Sequence, residues 1–195
     1  MVKKAFIDPS PAFYLLLALM LLVLPLKWLF AAAIAALYHE LCHVAAIRLC
    51  HGDIHRLSLS ANGARLDITE LSIFQELICA LAGPIGGLCL LFFAKWIPRI
   101  AVCAAFQSLY NLLPIYPLDG GRALWCAISL IIPADKTARC CKVIESICFA
   151  AILLTAFYSM VFLKLGVSSL FPAILIITHT KFRKTPCKQR LHRLQ

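Results

Sequence analysis

Acidic side chains are scarce in this sequence. Nine Asp and Glu stand against nineteen Lys and Arg, and all charged residues together make up 14% of the 195 positions, against 62% hydrophobic. Soluble domains carry about 25% charged residues, so a soluble globule is excluded. Also missing are a C-x-x-C pair, a G-x-S-x-G elbow and a second aspartate deep in an apolar run. Their absence removes thiolate metal sites, a nucleophilic serine of that type and an aspartyl dyad. The ten cysteines lie mostly in apolar runs and form no framework in an extramembrane segment. They read as small buried apolar side chains. No internal repeat, low-complexity tract or appended globular domain is visible.

What remains is a chain of apolar runs. Six spans are predicted: 12–26, 28–49, 71–94, 100–131, 143–162 and 165–180. The first run, Phe13 to Leu24, lacks a small-residue cleavage site after it and is read as a retained span. The fold class expected is an all-α polytopic membrane protein of about six transmembrane helices. One membrane-embedded domain occupies 1–180, and a basic cytosolic tail occupies 181–195. With the N-terminus in the cytosol, fourteen of the nineteen basic residues fall on the cytosolic side. Lys27, Lys95, Arg99 and Lys164 fall outside, and Arg122 lies in the fourth span. That bias obeys the positive-inside rule and puts both termini in the cytosol. It also accounts for the net charge of +10. Nucleic acid is not a partner; the tail meets anionic headgroups of the bilayer.

One polar insertion stands out. Residues 54–68 alternate apolar and polar side chains around Asn62-Gly63, a strong short hairpin signal because a type I′ turn needs positive φ at both central residues. A small cytosolic β-hairpin is expected there. Two roles stay open: a strand edge offered to an extended substrate, or a cover packed over the cytosolic opening.

The second span carries "AALYHELCHVAAIRLC". His39, Glu40 and His43 are costly in hydrocarbon, and ionisable residues in a span mark functional sites. The pattern is H-E-x-x-H. Residues i and i+4 share a helix face, so two imidazoles can bind one Zn²⁺ while the Glu serves as general base toward water. The plain alternative is two histidines bonded to backbone carbonyls. Arg48 marks the cytosolic edge, which puts His43 about 7–8 Å deeper at 1.5 Å per residue. A catalytic zinc needs a third protein ligand. Only Glu40 and Asp119 lie well inside predicted spans; Glu145 and the other acids fall at segment ends or in loops. Asp119 belongs to "NLLPIYPLDGGR". Pro114 and Pro117 interrupt the fourth span, and Gly120 and Gly121 permit unusual backbone angles. Asp119 reads either as a carboxylate turned toward a metal or as a turn or cap residue between two shorter spans.

Taken together, H-E-x-x-H, "GPIGG" and N-x-x-P-x-x-P-L-D-G resemble the site-2 protease family of intramembrane zinc metalloproteases. The resemblance covers about 28–130 and is nearest the branch that processes a sporulation sigma-factor precursor. It implies one Zn²⁺ per chain held by His39, His43 and Asp119, with Glu40 as the catalytic acid-base and Asn111 holding substrate. Gly83 and Gly87 match a small-residue packing element. A membrane-tethered protein substrate is implied, and a membrane inhibitor or regulator is a second class of partner. The regulatory nucleotide-binding domain of that branch and the PDZ domain of others are not expected here. A metal transporter is the rival reading from another class, and an anti-sigma factor or a remnant signal peptide are alternative substrates.

Overall fold

The computed structural model describes residues 25–52, 54–60, 63–68 and 71–161. The predicted first span up to residue 24, the sixth span and the basic tail lie outside the described residues. The described chain is mostly helical. Three of its helical stretches, Leu26–Leu49, Ile73–Phe93 and Asp135–Ser159, are long and apolar enough to cross a membrane. The contacts gather the chain into two compact units that meet in sequence at Asn111 and Leu112.

In the first unit, α1 spans Leu26–Leu49. Its alanines and leucines are strong helix formers. Ala31, Ala35, His39, His43, Ala46 and Ile47 are buried, whereas Phe30, Ile34, Leu37 and Leu41 are exposed. The buried residues recur at every third or fourth position, so they form one stripe. Small alanines on it let neighbouring helices approach, and the bulky apolar side chains are left for lipid. The helix ends in a Schellman arrangement. His51 takes the left-handed conformation at φ 57°. Gly52 N donates to Ile47 O at 2.9 Å and His51 N to Arg48 O at 3.0 Å.

Strands β1, Ile54–Ser60, and β2, Gly63–Ile68, pair antiparallel with an irregularity between Ile54 and Arg56. Ser60 pairs with Gly63. Gly63 is therefore the first residue of a strand and not the second turn residue anticipated from the sequence. The other residue of the predicted type I′ turn, Asn62, lies outside the described residues.

Helix α2, Ile73–Cys89, opens with a capping box: Gln75 N donates to Ser72 Oγ at 3.2 Å and Ser72 N to Gln75 Oε1 at 3.0 Å. Gln75 Nε2 also reaches Cys50 O at 3.3 Å, so one side chain ties the start of α2 to the end of α1. Pro84 sits inside α2, and a short 3₁₀ turn, Leu90–Phe93, follows. Helix α3, Pro98–Asn111, starts on a proline whose missing N–H has no helical partner to lose. It buries Ala101, Ala104 and Ser108. α1, α2 and α3 pack on one another.

The second unit holds α4, Asp119–Ser129, and α5, Ala134–Val161, packed together. The predicted fourth span is thus two helices, one ending at Asn111 and one beginning at Asp119, with both prolines between them. Hydropathy predicts the fifth span from 143, but its helix begins at Ala134. Thr137 lies in its first turn, where its N bonds Pro133 O at 2.9 Å and its Oγ1 bonds Ile132 O and Pro133 O at 3.2 and 3.1 Å.

Candidate active site

His39 and His43 lie one turn apart on the buried stripe of α1, at 2% and 8% exposure. Their Nε2 atoms are 3.2 Å apart, and the rings meet edge to face. His43 Nδ1 donates to the carbonyl of Cys79 at 2.7 Å. A neutral imidazole whose Nδ1 carries the proton presents a lone pair at Nε2. Asn111 Nδ2 donates to His39 Nε2 at 3.2 Å, so His39 offers a lone pair at Nε2 as well. Two lone pairs that converge without a proton between them repel unless a cation joins them. Two imidazole nitrogens at about 2.0–2.1 Å from a tetrahedral zinc stand roughly 3.3 Å apart, which matches the observed separation. The carbonyl bond of the plain alternative is present, and it serves as the orienting contact typical of metal-ligating histidines. The residues present fit a metal.

Gly83 presses on this pair. A Cβ at that position would sit 2.8 Å from His39 Nε2 and still closer to His43 Nε2. Its neighbours differ: Gly86 faces Cys42 and Tyr38, and Gly87 faces Ser108 Oγ and the Ala104 carbonyl of α3. The small residues therefore do two jobs. Gly86 and Gly87 let helices approach, whereas Gly83 leaves space for the imidazoles themselves.

Glu40 follows His39 on α1 and is half-buried. Asp119 is the first residue of α4, with its side chain 14% exposed and Arg122 Nη1 3.9 Å from its Oδ1. Leu118 is the N-cap, so Asp119 is not the cap residue itself. A Cβ on Gly120 would run into the carbonyls of Leu112 and Leu113, and one on Gly121 into the backbone of Ile115 and Tyr116. The prolyl turn is folded against the first turn of α4, and only glycine leaves room for it.

Two site features have little signal in the sequence. The Cys79 carbonyl is a backbone group and has none. Glu145, placed at a segment end by the sequence, is instead inside α5, and its Oε1 accepts a hydrogen bond from Tyr116 N at 2.9 Å. A carboxylate inside an apolar helix is the clue available.

No family model matches this chain. Stage IV sporulation protein FB of Bacillus subtilis (strain 168) is 30% identical over 161 residues, covering 75% of this chain and 56% of that protein. The chain thus spans about half the length of the curated relative it matches. The site-2 protease from Methanocaldococcus jannaschii shares the fold, with a TM-score of 0.61 and 20% identity over 95% of both chains. The chain has the site-2 protease fold. Within the site-2 protease fold the converging histidines sit on a span-length helix, which makes this a membrane protein with its polar donors turned away from lipid.

Proposed function

We propose that this protein is an intramembrane zinc endopeptidase that cuts a membrane-tethered protein in or near its transmembrane segment. The observation that carries the reading is the pair of Nε2 lone pairs converging at 3.2 Å on a helix long enough to span a bilayer. The third donor in this reading is Asp119, so that two imidazoles and a carboxylate would hold one metal ion. When bound, zinc supplies Lewis acidity, polarising a peptide carbonyl and acidifying water.

The chain's own groups do the rest. His43 is fixed in its tautomer by Cys79 O, and Gly83 keeps the approach to both rings open. Asp119 contributes negative charge, which offsets a dication where uncompensated charge is costly. Glu40 takes a proton from the attacking water and returns it to the leaving amine. Asn111 donates to the nitrogen that a metal would occupy. With that lone pair committed to a bound ion, the Asn111 amide would be free to donate to a substrate carbonyl. This is the substrate-holding role assigned to it.

A helical substrate hides its carbonyls in its own hydrogen bonds and must unwind locally before attack. The β1–β2 ladder, on the cytosolic side in this reading, offers an edge to the unwound strand. Both termini are assigned to the cytosol by the basic-residue bias. The similarity to a stage IV sporulation protein favours a sigma-factor precursor as substrate.

The test is Glu40→Gln, assayed by cleavage of a membrane-tethered substrate with zinc measured in parallel. Proteolysis falls roughly 10²–10⁴-fold, the usual scale of acid-base contributions, while zinc stays bound. A variant that retains full cleavage removes Glu40 from the mechanism. A wild type that moves zinc across vesicles and cleaves nothing establishes the transporter instead.

A further inference from the structure

The segment between α3 and α4 has an incomplete hydrogen-bond supply of its own. Of residues 114–118, Pro114 and Pro117 have no N–H. Ile115 N bonds Leu113 O at 2.7 Å and Leu118 N bonds Ile115 O at 2.9 Å, both within the turn. Tyr116 N is the remaining donor, and its bond goes to another element, at 2.9 Å to Glu145 Oε1 of α5. Non-helical backbone at membrane depth is tolerated only where its polar groups are satisfied by protein or by a wet cavity. An acidic side chain within an apolar helix is equally out of place unless it meets a donor. Each group answers the other's need.

The geometry points to Glu145 as a positioning residue for Asp119, a role that rests on the zinc-protease reading. Glu145 holds Tyr116, and the turn around Tyr116 lies against the glycines that open α4. A Cβ added to Gly121 would have the backbone of Ile115 and Tyr116 within 2.6 Å, and Gly120 abuts Leu112 and Leu113. Asp119 is the residue immediately before those glycines, so the turn that Glu145 clamps fixes where its carboxylate starts. Glu145 acts by accepting a hydrogen bond. Its charge is incidental to the role.

Three substitutions separate acceptor from charge. Glu145→Gln keeps an acceptor oxygen at the same reach and removes the charge. Glu145→Asp keeps the charge and retracts the oxygen by one methylene. Glu145→Leu removes both. The readouts are zinc affinity of the purified full chain, by competition with a chelator, and cleavage of a membrane-tethered substrate. Glu145→Gln behaves as wild type. Glu145→Asp and Glu145→Leu bind zinc roughly 2- to 10-fold more weakly, the scale of one hydrogen bond, and added zinc restores part of their cleavage. If the Glu145→Leu chain does not fold, the Gln and Asp variants decide alone. Wild-type zinc affinity in Glu145→Asp, or loss in Glu145→Gln with retention in Glu145→Asp, overturns the proposal. Failure of the underlying reading looks different: the wild type itself then holds no zinc and cleaves nothing.

Discussion

Adding one methyl group at Gly83 tests whether the imidazole pair is a metal site or a packed buried dyad. In Gly83→Ala the new Cβ would stand 2.8 Å from His39 Nε2 and closer to His43 Nε2. Real Cβ atoms do not come so near, so the rings or the helix must shift. His43 cannot rotate away without weakening its 2.7 Å bond to Cys79 O. That bond is worth about 0.5–1.5 kcal/mol, and overpacking of this kind typically costs about 1–3 kcal/mol. Because the methyl would lie against the nitrogens proposed as ligands, the cost falls on zinc binding. A loss of about 1–3 kcal/mol corresponds to roughly 5- to 150-fold weaker zinc affinity. The assay is chelator competition on detergent-purified protein, with thermal unfolding followed in the presence and absence of zinc. Gly86→Ala is the control, since its Cβ meets Cys42 and Tyr38 on the same pair of helices. It lowers stability and leaves zinc affinity alone. If Gly83→Ala binds zinc as tightly as the wild type, the Nε2 atoms are not the ligands. Equal losses in Gly83→Ala and Gly86→Ala would reduce Gly83 to a helix-packing residue.

Two further substitutions divide the remaining roles. Asp119→Asn weakens zinc binding and cleavage together, because a neutral amide is a poorer ligand, and added zinc restores part of the cleavage; unchanged zinc content with full activity would send the search for a third ligand elsewhere. Asn111→Ala lowers cleavage while zinc binds as tightly as before or several-fold more tightly, because a donor competing for the His39 lone pair is gone; weaker zinc binding in that variant would make Asn111 a support of the metal and not of the substrate.

How much of this is legible in the sequence depends on what a membrane makes conspicuous. In a run such as that of α1, His39, Glu40 and His43 are conspicuous because ionisable side chains are costly in hydrocarbon. Their spacing by four then requires the histidines to share a face, and they do. The interruption between Asn111 and Asp119 is equally plain, since two prolines cannot continue a helix there. The β segment is harder. Period-2 alternation marks strands but does not determine which residues connect them, and the register pairs Ser60 with Gly63 where the sequence predicts a turn centred on Asn62-Gly63.

The features that stay hidden share one cause: each is a property of a pair distant in sequence, and at least one member of the pair is bland. Cys79 contributes only its carbonyl, which every residue possesses. Gly83 matters for what it leaves empty, and as a sequence letter it is indistinguishable from Gly86 one turn further along the same helix. Gln75 caps its own helix and binds Cys50, and only the capping spacing from Ser72 is readable in advance. Glu145 is visible but easily misplaced, because an acid two residues into a predicted span resembles a boundary residue. The decisive fact is the helix start at Ala134, about two turns earlier than hydropathy suggests. Hydropathy reports where lipid begins and not where the helix begins. In α5 those two points differ, and the carboxylate that meets Tyr116 lies just beyond the gap between them.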